Sequence, residues 1–454
     1  MSTLFGDDDG TTDRPIASRG ALLDILRRGE KPKDTWGVGI EYERLPVSRV
    51  SGEAVPYLPA GGRTPSIAAL LETLASRGWQ AQRERGHITA LERGGTHITL
   101  EPGAQVEMSG RVHTDLAEAS SEILSFVQET DAIAAGMGIA FLGLGFQPFT
   151  AIDRIGWVPK KRYEIMAPYL ATRGHLAHGM MKGTAGCQIN LDYASEREAM
   201  EMLRTATGIS SIVTALCANS PLTRGQANGF ATVRSHIWAH TDPDRCGLLA
   251  FALEEGASYD DYVDYALDVP MLFVVRAGEW IDMTGVTFRH FLAQGHRGAV
   301  ATIGDWQMHL TTLFPEVRIK SWLEVRGSDS GAPETIVAQA ALWMGILYDA
   351  AARRSAWDLV AGVTFAQRRT FHRDVTRRGL DARLGDRSAR ELGRSLLGIA
   401  AAHLAPRDAA RLAPLRAVID EGATPAQELL ARWRGAWDRD PASLVAALAP
   451  VPAQ

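Results

Sequence analysis

Polar and apolar residues alternate with period two in four stretches of the chain: Gly39-Ile40-Glu41-Tyr42-Glu43, Leu100-Glu101 with Gln105-Val106-Glu107, Gln188-Ile189-Asn190-Leu191-Asp192, and Glu324-Val325-Arg326. Successive side chains of a strand point to opposite faces, so the carboxylates and amides of each stretch share one face while Ile40, Val106, Ile189 and Val325 share the other. The pattern predicts a sheet with one apolar and one acidic face. Elsewhere the apolar residues recur at helical spacing. A short helix runs through Leu22, Leu23, Ile25 and Leu26, and another covers Ile67 to Arg77 after the Gly61 to Pro65 stretch. Asp115 to Ala135 is amphipathic through Leu116, Ile123, Leu124 and Val127. A long helix starts at Ser195, where Ser195 and Glu198 form a capping box, and runs through Leu203, Ala206, Ile209, Val213 and Leu216 until Asn219-Ser220-Pro221 stops it. A further helix covers Pro333 to Arg353. Leu91 to Gly110 reads as a hairpin turning at Pro102-Gly103, and Ile139 to Phe146 as a buried strand.

These elements predict an α+β chain in three parts. Residues 1–15 form a disordered acidic tail, 16–380 the catalytic domain, and 381–454 a helical C-terminal subdomain with apolar positions at Leu392, Leu396, Ile399 and Leu430. No internal repeat, heptad array or low-complexity tract interrupts them. At 454 residues, 46% hydrophobic and 22% charged, the chain buries one large core or two moderate ones. A net charge of −5 with scattered basic residues gives no general attraction to nucleic acid. Three cysteines, Cys187, Cys217 and Cys246, suit neither a disulfide framework nor a zinc site, so a reducing, cytoplasmic setting is expected. The N-terminal Asp7, Asp8 and Asp9 are the reverse of a secretory signal, and no stretch of about eighteen apolar residues predicts a membrane span.

Carboxylates gathered on one surface repel one another unless cations hold them together, and hard oxygen ligands suit Mg²⁺ or Mn²⁺ carrying nucleotide phosphates. Glu41, Glu43, Glu101, Glu107 and Glu324 are therefore candidate metal ligands. The Walker sequence is missing and Gly143-Leu144-Gly145 lacks the third glycine of a dinucleotide fold, so phosphates have to be held through the metal. Arg326 shares the face of Glu324 and either forks an anion or neutralises that carboxylate. The Arg234-Ser235-His236 and Asp242-Pro243-Asp244-Arg245 groups occupy a loop that either binds ligand or closes a hydrogen-bonded turn. His236 alone is a weak catalytic base. Lys160-Lys161-Arg162 either attracts phosphates or, as three adjacent basic residues at a helix start more often do, forms a solvated face, and Cys187 reads as a buried structural thiol.

From about Trp36 to Trp357 the chain resembles the plant-type glutamate–cysteine ligases, which also occur in many bacteria. The resemblance lies in GVGIEYE (Gly37 to Glu43), ITLEPGAQVEMSG (Ile98 to Gly110), QINLD (Gln188 to Asp192), ANSPLT (Ala218 to Thr223), NGFATVRSHIW (Asn228 to Trp238), TDPDR (Thr241 to Arg245), YVDYALDVPM (Tyr262 to Met271), HLTTLFPEVRIK (His309 to Lys320) and LEVRGSD (Leu323 to Asp329). It implies a glutamine synthetase-like catalytic domain, with a curved, mainly antiparallel sheet backed by helices and ATP with Mg²⁺ on the concave face. It implies that ATP phosphorylates the γ-carboxylate of L-glutamate and that the amine of L-cysteine attacks the acyl phosphate, giving γ-glutamylcysteine. Carried over residue by residue, the five glutamates resemble metal ligands, and Arg234, Arg245 and Arg326 resemble catalytic anion binders. Gln188 and Asn190 form the polar floor, Trp238 walls the substrate pocket, and Arg326 with Gln105 serves the nucleotide. One region departs from the family pattern. Before the QxN strand, where these ligases carry a Thr-Cys pair, this chain reads Met181-Lys182-Gly183-Thr184-Ala185-Gly186-Cys187. Another small amino acid acceptor is therefore an alternative to cysteine. A non-catalytic ATP and glutamate sensor is the alternative of another class. The expected assembly is a monomer or small homo-oligomer.

Overall fold

The computed structural model describes residues 14–58 and 65–449. The strand Val38–Ser48 (β1) is its axis. Around it lie Gln80–Glu84 (β2), His87–Arg93 (β3), Thr96–Leu100 (β4), Val106–Ser109 (β5), Ile139–Leu142 (β6), Gly186–Leu191 (β7), Val317–Ile319 (β8) and Leu323–Asp329 (β9). They join in the order β8-β9-β7-β1-β5-β4-β3-β2, with β6 on the far half of β1, and every neighbouring pair is antiparallel. This is the expected α+β architecture: alternation predicts the two-faced sheet, and the antiparallel order is the one the family resemblance implies. The register is what turns alternation into a site. Glu41 stands opposite Gln188, Glu43 opposite Glu107, and Glu324 opposite Asn190.

The opposite face carries Ile40, Tyr42, Val106, Met108, Ile189, Leu191, Leu323 and Val325, all buried. It is covered by the helices Glu196–Leu216 and Pro333–Leu347, whose inward faces are apolar and buried along most of their length. Burial of this apolar surface at about 25 cal/mol per Å² is the main stabilising term. The Tyr42 hydroxyl crosses the layer to donate to the Gly331 carbonyl at 2.8 Å. Leu392 and Leu396 of the C-terminal helix Ala389–Ala402 belong to the same buried cluster as the body. Leu429, Trp433 and Leu444 close a second cluster over Leu45, Val47 and Leu142 at the β1–β6 end.

Several boundaries differ from the sequence expectations, each for a local reason. Leu91 belongs to β3, so the stretch to Gly110 holds two turns; Gly94 and Gly95, both at positive φ, make the one that polarity alone does not reveal. Leu124 of the helix Leu116–Gly136 is 41% exposed and faces away from the core. Ser195 caps its helix by accepting from the Glu198 N–H, but the Glu198 carboxylate is taken by Lys33 and Arg353, so the reciprocal half of the box does not form. The helix from Pro333 ends at Leu347. A new one, Ala350–Asp358, capped by Asp349, leaves at 97°. Strand β6 stops at Leu142 because Gly143 lies against the Gly331 backbone, where a Cβ would come within 2.2 Å of the carbonyl oxygen. Among the described residues no single helix is long and apolar enough to cross a membrane. Most of the acidic tail, and Gly61 to Thr64, lie outside the described residues; at the tail's end Pro15 bridges to Thr302.

The helix Ile303–Thr311 carries His309, 2% exposed, with Nε2 2.8 Å from the Ala266 carbonyl and the ring against Phe288 and Trp306. Burial lowers its pKa to about 3, against a modest upward pull from the Ala266 hydrogen bond. The unfolded chain binds a proton near pH 6.5 that the folded chain refuses until about pH 3, so this contribution to stability is complete above pH 6.5 and lost as pH falls toward 3. His309→Gln is expected to flatten the acid limb of stability against pH, measured by urea denaturation between pH 7 and 4; an unchanged slope would contradict it.

Candidate active site

Four of the five candidate glutamates, Glu41, Glu43, Glu101 and Glu107, line one pocket on the polar face of the sheet, together with Gln188, Trp238, Arg318 and Arg326. Strand alternation brings Glu41 and Glu43 there from β1 and Glu107 from β5. Glu101 comes from the turn after β4, where its backbone is held by hydrogen bonds with Gln105 and Ala104. The carboxylates are seated by short contacts. Glu43 accepts from the Gly186 N–H and the Gln188 amide, each at 2.6 Å. Glu41 accepts from the Asn190 amide at 3.1 Å, and Glu107 from Thr99 Oγ1 at 2.8 Å and Ser109 Oγ at 3.1 Å. Burial raises Glu43 to a pKa of about 7, and the charges of Glu101 and Glu107 push the same way against Arg234 and Gln188. Burial, then Glu107, raises Glu101 as well.

Glu324 sits in a different environment. It is 0% exposed, and its oxygens are held by Arg318 at 2.8 Å, Lys320 at 2.8 Å and Arg326 at 2.7 Å. Burial pushes its pKa up, but Arg318, Lys320 and Arg326 together hold it well below the usual carboxylate range. Three cations around one carboxylate leave a net positive edge beside the acidic floor. In this arrangement Glu324 organises cations, while the other four glutamates line the pocket. Among the described residues no three His, Cys, Asp or Glu side chains already close on a common point as an ion's shell.

The predicted anion binders separate. Arg326 lines the pocket with its guanidinium over Trp238 and Phe314, and Arg234 supports it by donating to the Arg326 carbonyl at 3.0 Å. Gly186 leaves room for the Arg234 guanidinium, which a Cβ there would meet at 2.4 Å. Arg245 does not reach the pocket. It is fully buried and engaged by Asp242 at 2.6 Å and the carbonyls of Thr312 and Pro270, so the hydrogen-bonded-turn alternative describes it. Gln105 is likewise structural: its amide clamps the carbonyls of Met181 and Thr184 and accepts from the Gly103 N–H. His236 stacks on Phe230 outside the pocket, and Cys187 is buried on the apolar face as expected. Gln188 Oε1, Asn190 Oδ1, Arg234 Nε, Arg318 Nε and Trp238 Nε1 are buried without a hydrogen-bond partner among the described residues. Such a concentration of unmet polar atoms marks a surface shaped for a polar ligand.

Two residues assigned to a solvated face belong to the site's surroundings. Lys160 is 3% exposed and donates to the Leu100 carbonyl at 2.9 Å; Arg162 is buried and donates to Tyr163 Oη at 3.1 Å. Burial, then the Arg162 charge, lowers the Lys160 pKa to about 7 while Glu101 and Glu107 oppose the shift. The signal was present: Tyr163, Met166 and Leu170 define the buried face of the helix Lys161–Arg173, and Lys160 and Arg162 fall three and four residues before Tyr163 and Met166. Arg318 and Lys320 were inside a recognised motif but had no assigned role.

Residues 37–446 match the family model described as Glutamate-cysteine ligase family 2. The chain belongs to that family. A chloroplastic glutamate–cysteine ligase of Medicago truncatula is 39% identical over 425 residues, covering 92% of this chain and 82% of the relative. The corresponding ligase of Arabidopsis thaliana is 38% identical over 427 residues, covering 92% and 80%. The crystal structure of a glutamate–cysteine ligase from Francisella tularensis in complex with AMP matches with a TM-score of 0.55 at 14% identity, over 91% of this chain and 88% of that one, a likeness of fold. The expectation of a cytoplasmic protein is overturned by the plant relatives, which are named as chloroplastic.

Within this glutamate–cysteine ligase family member the Glu324 cluster is directly testable. Glu324→Gln leaves Arg318, Lys320 and Arg326 facing one another without their shared counter-charge. The expected result is a loss of about 3 kcal/mol in unfolding free energy, measured by urea denaturation at neutral pH. An unchanged midpoint would show that the three cations relax without it.

Proposed function

We propose that the chain joins the γ-carboxylate of L-glutamate to the amine of L-cysteine at the expense of ATP, using the pocket on the polar face of the sheet. The observation that carries this reading is the pairing of an acidic floor with a cationic edge in one pocket. Glu41, Glu43, Glu101 and Glu107 supply hard oxygens, and Arg318 and Arg326 stand beside them. Burial raises the Glu43 pKa first, and the charges of Glu101 and Glu107 add to it; a divalent ion among these oxygens would offset both, so these residues fit Mg²⁺ or Mn²⁺. When bound, such an ion neutralises triphosphate charge and polarises the transferred phosphorus.

The chain's own residues do the rest by position and charge. Arg326, fixed between Trp238, Phe314 and Glu324, presents a planar fork to the phosphoryl oxygens. Arg234 backs it through the Arg326 carbonyl. The γ-carboxylate oxygen of glutamate takes the γ-phosphoryl group and ADP leaves. The amine of the acceptor then attacks the acyl carbon, phosphate departs, and the amine loses a proton. No protein nucleophile takes part, so orientation and electrostatic stabilisation of the transferred group are the catalytic terms.

The pocket also carries the apolar Pro102, Met166, Met180 and Met181, which are assigned to the acceptor because they suit the small thiol of cysteine. The same residues favour a second reading in which another small amino acid replaces cysteine. Purified protein with ATP, Mg²⁺, glutamate and cysteine is expected to give γ-glutamylcysteine and ADP in equal amounts, resolved by chromatography. Chelation with EDTA should abolish the reaction and added Mg²⁺ restore it. Product with another amino acid but not with cysteine selects the second reading, and no glutamate-dependent ADP with any acceptor rejects ligase activity. Arg326→Lys is expected to lower kcat/KM by about 10²-fold, because an ammonium cannot reproduce the fork; near-normal kinetics would contradict the role assigned to Arg326.

A further inference from the structure

Arg234 and Trp238 stand on a helix of only six residues, Val233–Trp238, too short to hold its own direction in isolation. The buried Thr376 carbonyl accepts from the Ala231 and Thr232 N–H at 2.9 and 3.1 Å, and two side-chain anchors add to it. At its N-terminus Asp329 accepts from Thr232 Oγ1 and Ser220 Oγ, each at 2.7 Å, and Ser220 Oγ in turn accepts from the Arg234 N–H at 3.2 Å. The second anchor is His372, on the helix Phe365–Arg378 and 7% exposed. Its Nδ1 lies 3.0 Å from Ser211 Oγ, and its Nε2 lies 3.3 Å from Ser235 Oγ and 3.8 Å from Glu316 Oε1.

Glu316 extends this network toward the other arginine of the pocket. Its backbone carbonyl accepts from the Arg326 N–H at 3.1 Å. Its side chain lies against Gly327, where a Cβ would come within 2.0 Å of Oε2, and Oε2 has no hydrogen-bond partner among the described residues. One imidazole therefore meets three segments distant in sequence: the long helix at Ser211, the short helix at Ser235, and the residue beside Arg326. A buried ring with both nitrogens committed to side-chain hydroxyls, next to a buried carboxylate, is a costly way to fill a core that an apolar side chain would fill without polar demands.

We propose that His372 is a positioning residue for substrate binding, acting through Ser235 on Arg234 and Trp238 and through Glu316 on the Arg326 backbone. The proposal rests on the reading above that these residues hold substrate. His372 touches no reacting atom. It sets where the short helix sits against the strand that carries Arg326.

The test is a double-mutant cycle read in the glutamate KM, with hydroxylamine as acceptor so that γ-glutamyl hydroxamate reports the donor half alone. Ser235→Ala and His372→Leu are each expected to raise the glutamate KM by about tenfold, the scale of a sub-ångström to one-ångström misplacement. The double variant should be no worse than the singles, because both break one link. His372→Gln, which keeps a donor and an acceptor, should recover most of the loss. Wild-type KM in Ser235→Ala and His372→Leu, or effects that multiply to about 100-fold in the double variant, would overturn the proposal. If circular dichroism shows His372→Leu unfolded, Ser235→Ala and His372→Gln carry the test, and an unchanged glutamate KM in Ser235→Ala overturns it. Active wild type with unchanged variants overturns the role of His372 alone, whereas wild type that forms no hydroxamate overturns the ligase reading and this inference with it.

Discussion

Repulsion among carboxylates on one face of a sheet is the constraint around which this molecule is built. Register sets Glu43 directly opposite Glu107, and the turn after β4 adds Glu101 to the same pocket. Left alone in a buried setting, such charges would drive protonation or local opening. The fold answers with backbone and side-chain donors from Gly186, Gln188, Asn190, Thr99 and Ser109, each placed by the same ladder that creates the problem. A sheet held on its reverse by two long apolar helices is stiff enough to keep like charges together. That stiffness makes the face available for an ion and a polyphosphate.

Beside this floor lies its electrical opposite. Arg318, Lys320 and Arg326 share Glu324, so a single buried carboxylate holds three cations at an edge that stays net positive. Separation of the two regions matters more than total charge. Phosphate chains and amino acid carboxylates are anionic, and a pocket with an acidic floor and a cationic edge presents both signs of charge at once.

Much of the site was legible from alternation alone. Any strand with Glu at i and i+2 and apolar neighbours between them must show both carboxylates on one face, so Glu41, Glu43, Glu107, Gln188 and Asn190 were placed without knowledge of their partners. Motif membership does not say where a side chain ends: Arg245 is taken by Asp242 and two distant carbonyls, and Gln105 by the carbonyls of Met181 and Thr184. Lys160 and Arg162 were read as solvated because a run of three basic residues is usually a wet surface, although the helical phase of Tyr163 and Met166 already placed two of them inward.

The chain's own order of residues determined which side chains share a face, where the long helices begin, and that the sheet has one acidic side. These properties follow from the periods of strand and helix, which are local. Tertiary structure alone decided that Glu324 would be enclosed by three cations, that the helix from Pro333 would break at Leu347, and that His372 would reach Ser235 across 137 residues of chain. Such outcomes depend on which surfaces meet when distant segments pack, and no periodicity within one segment carries that information.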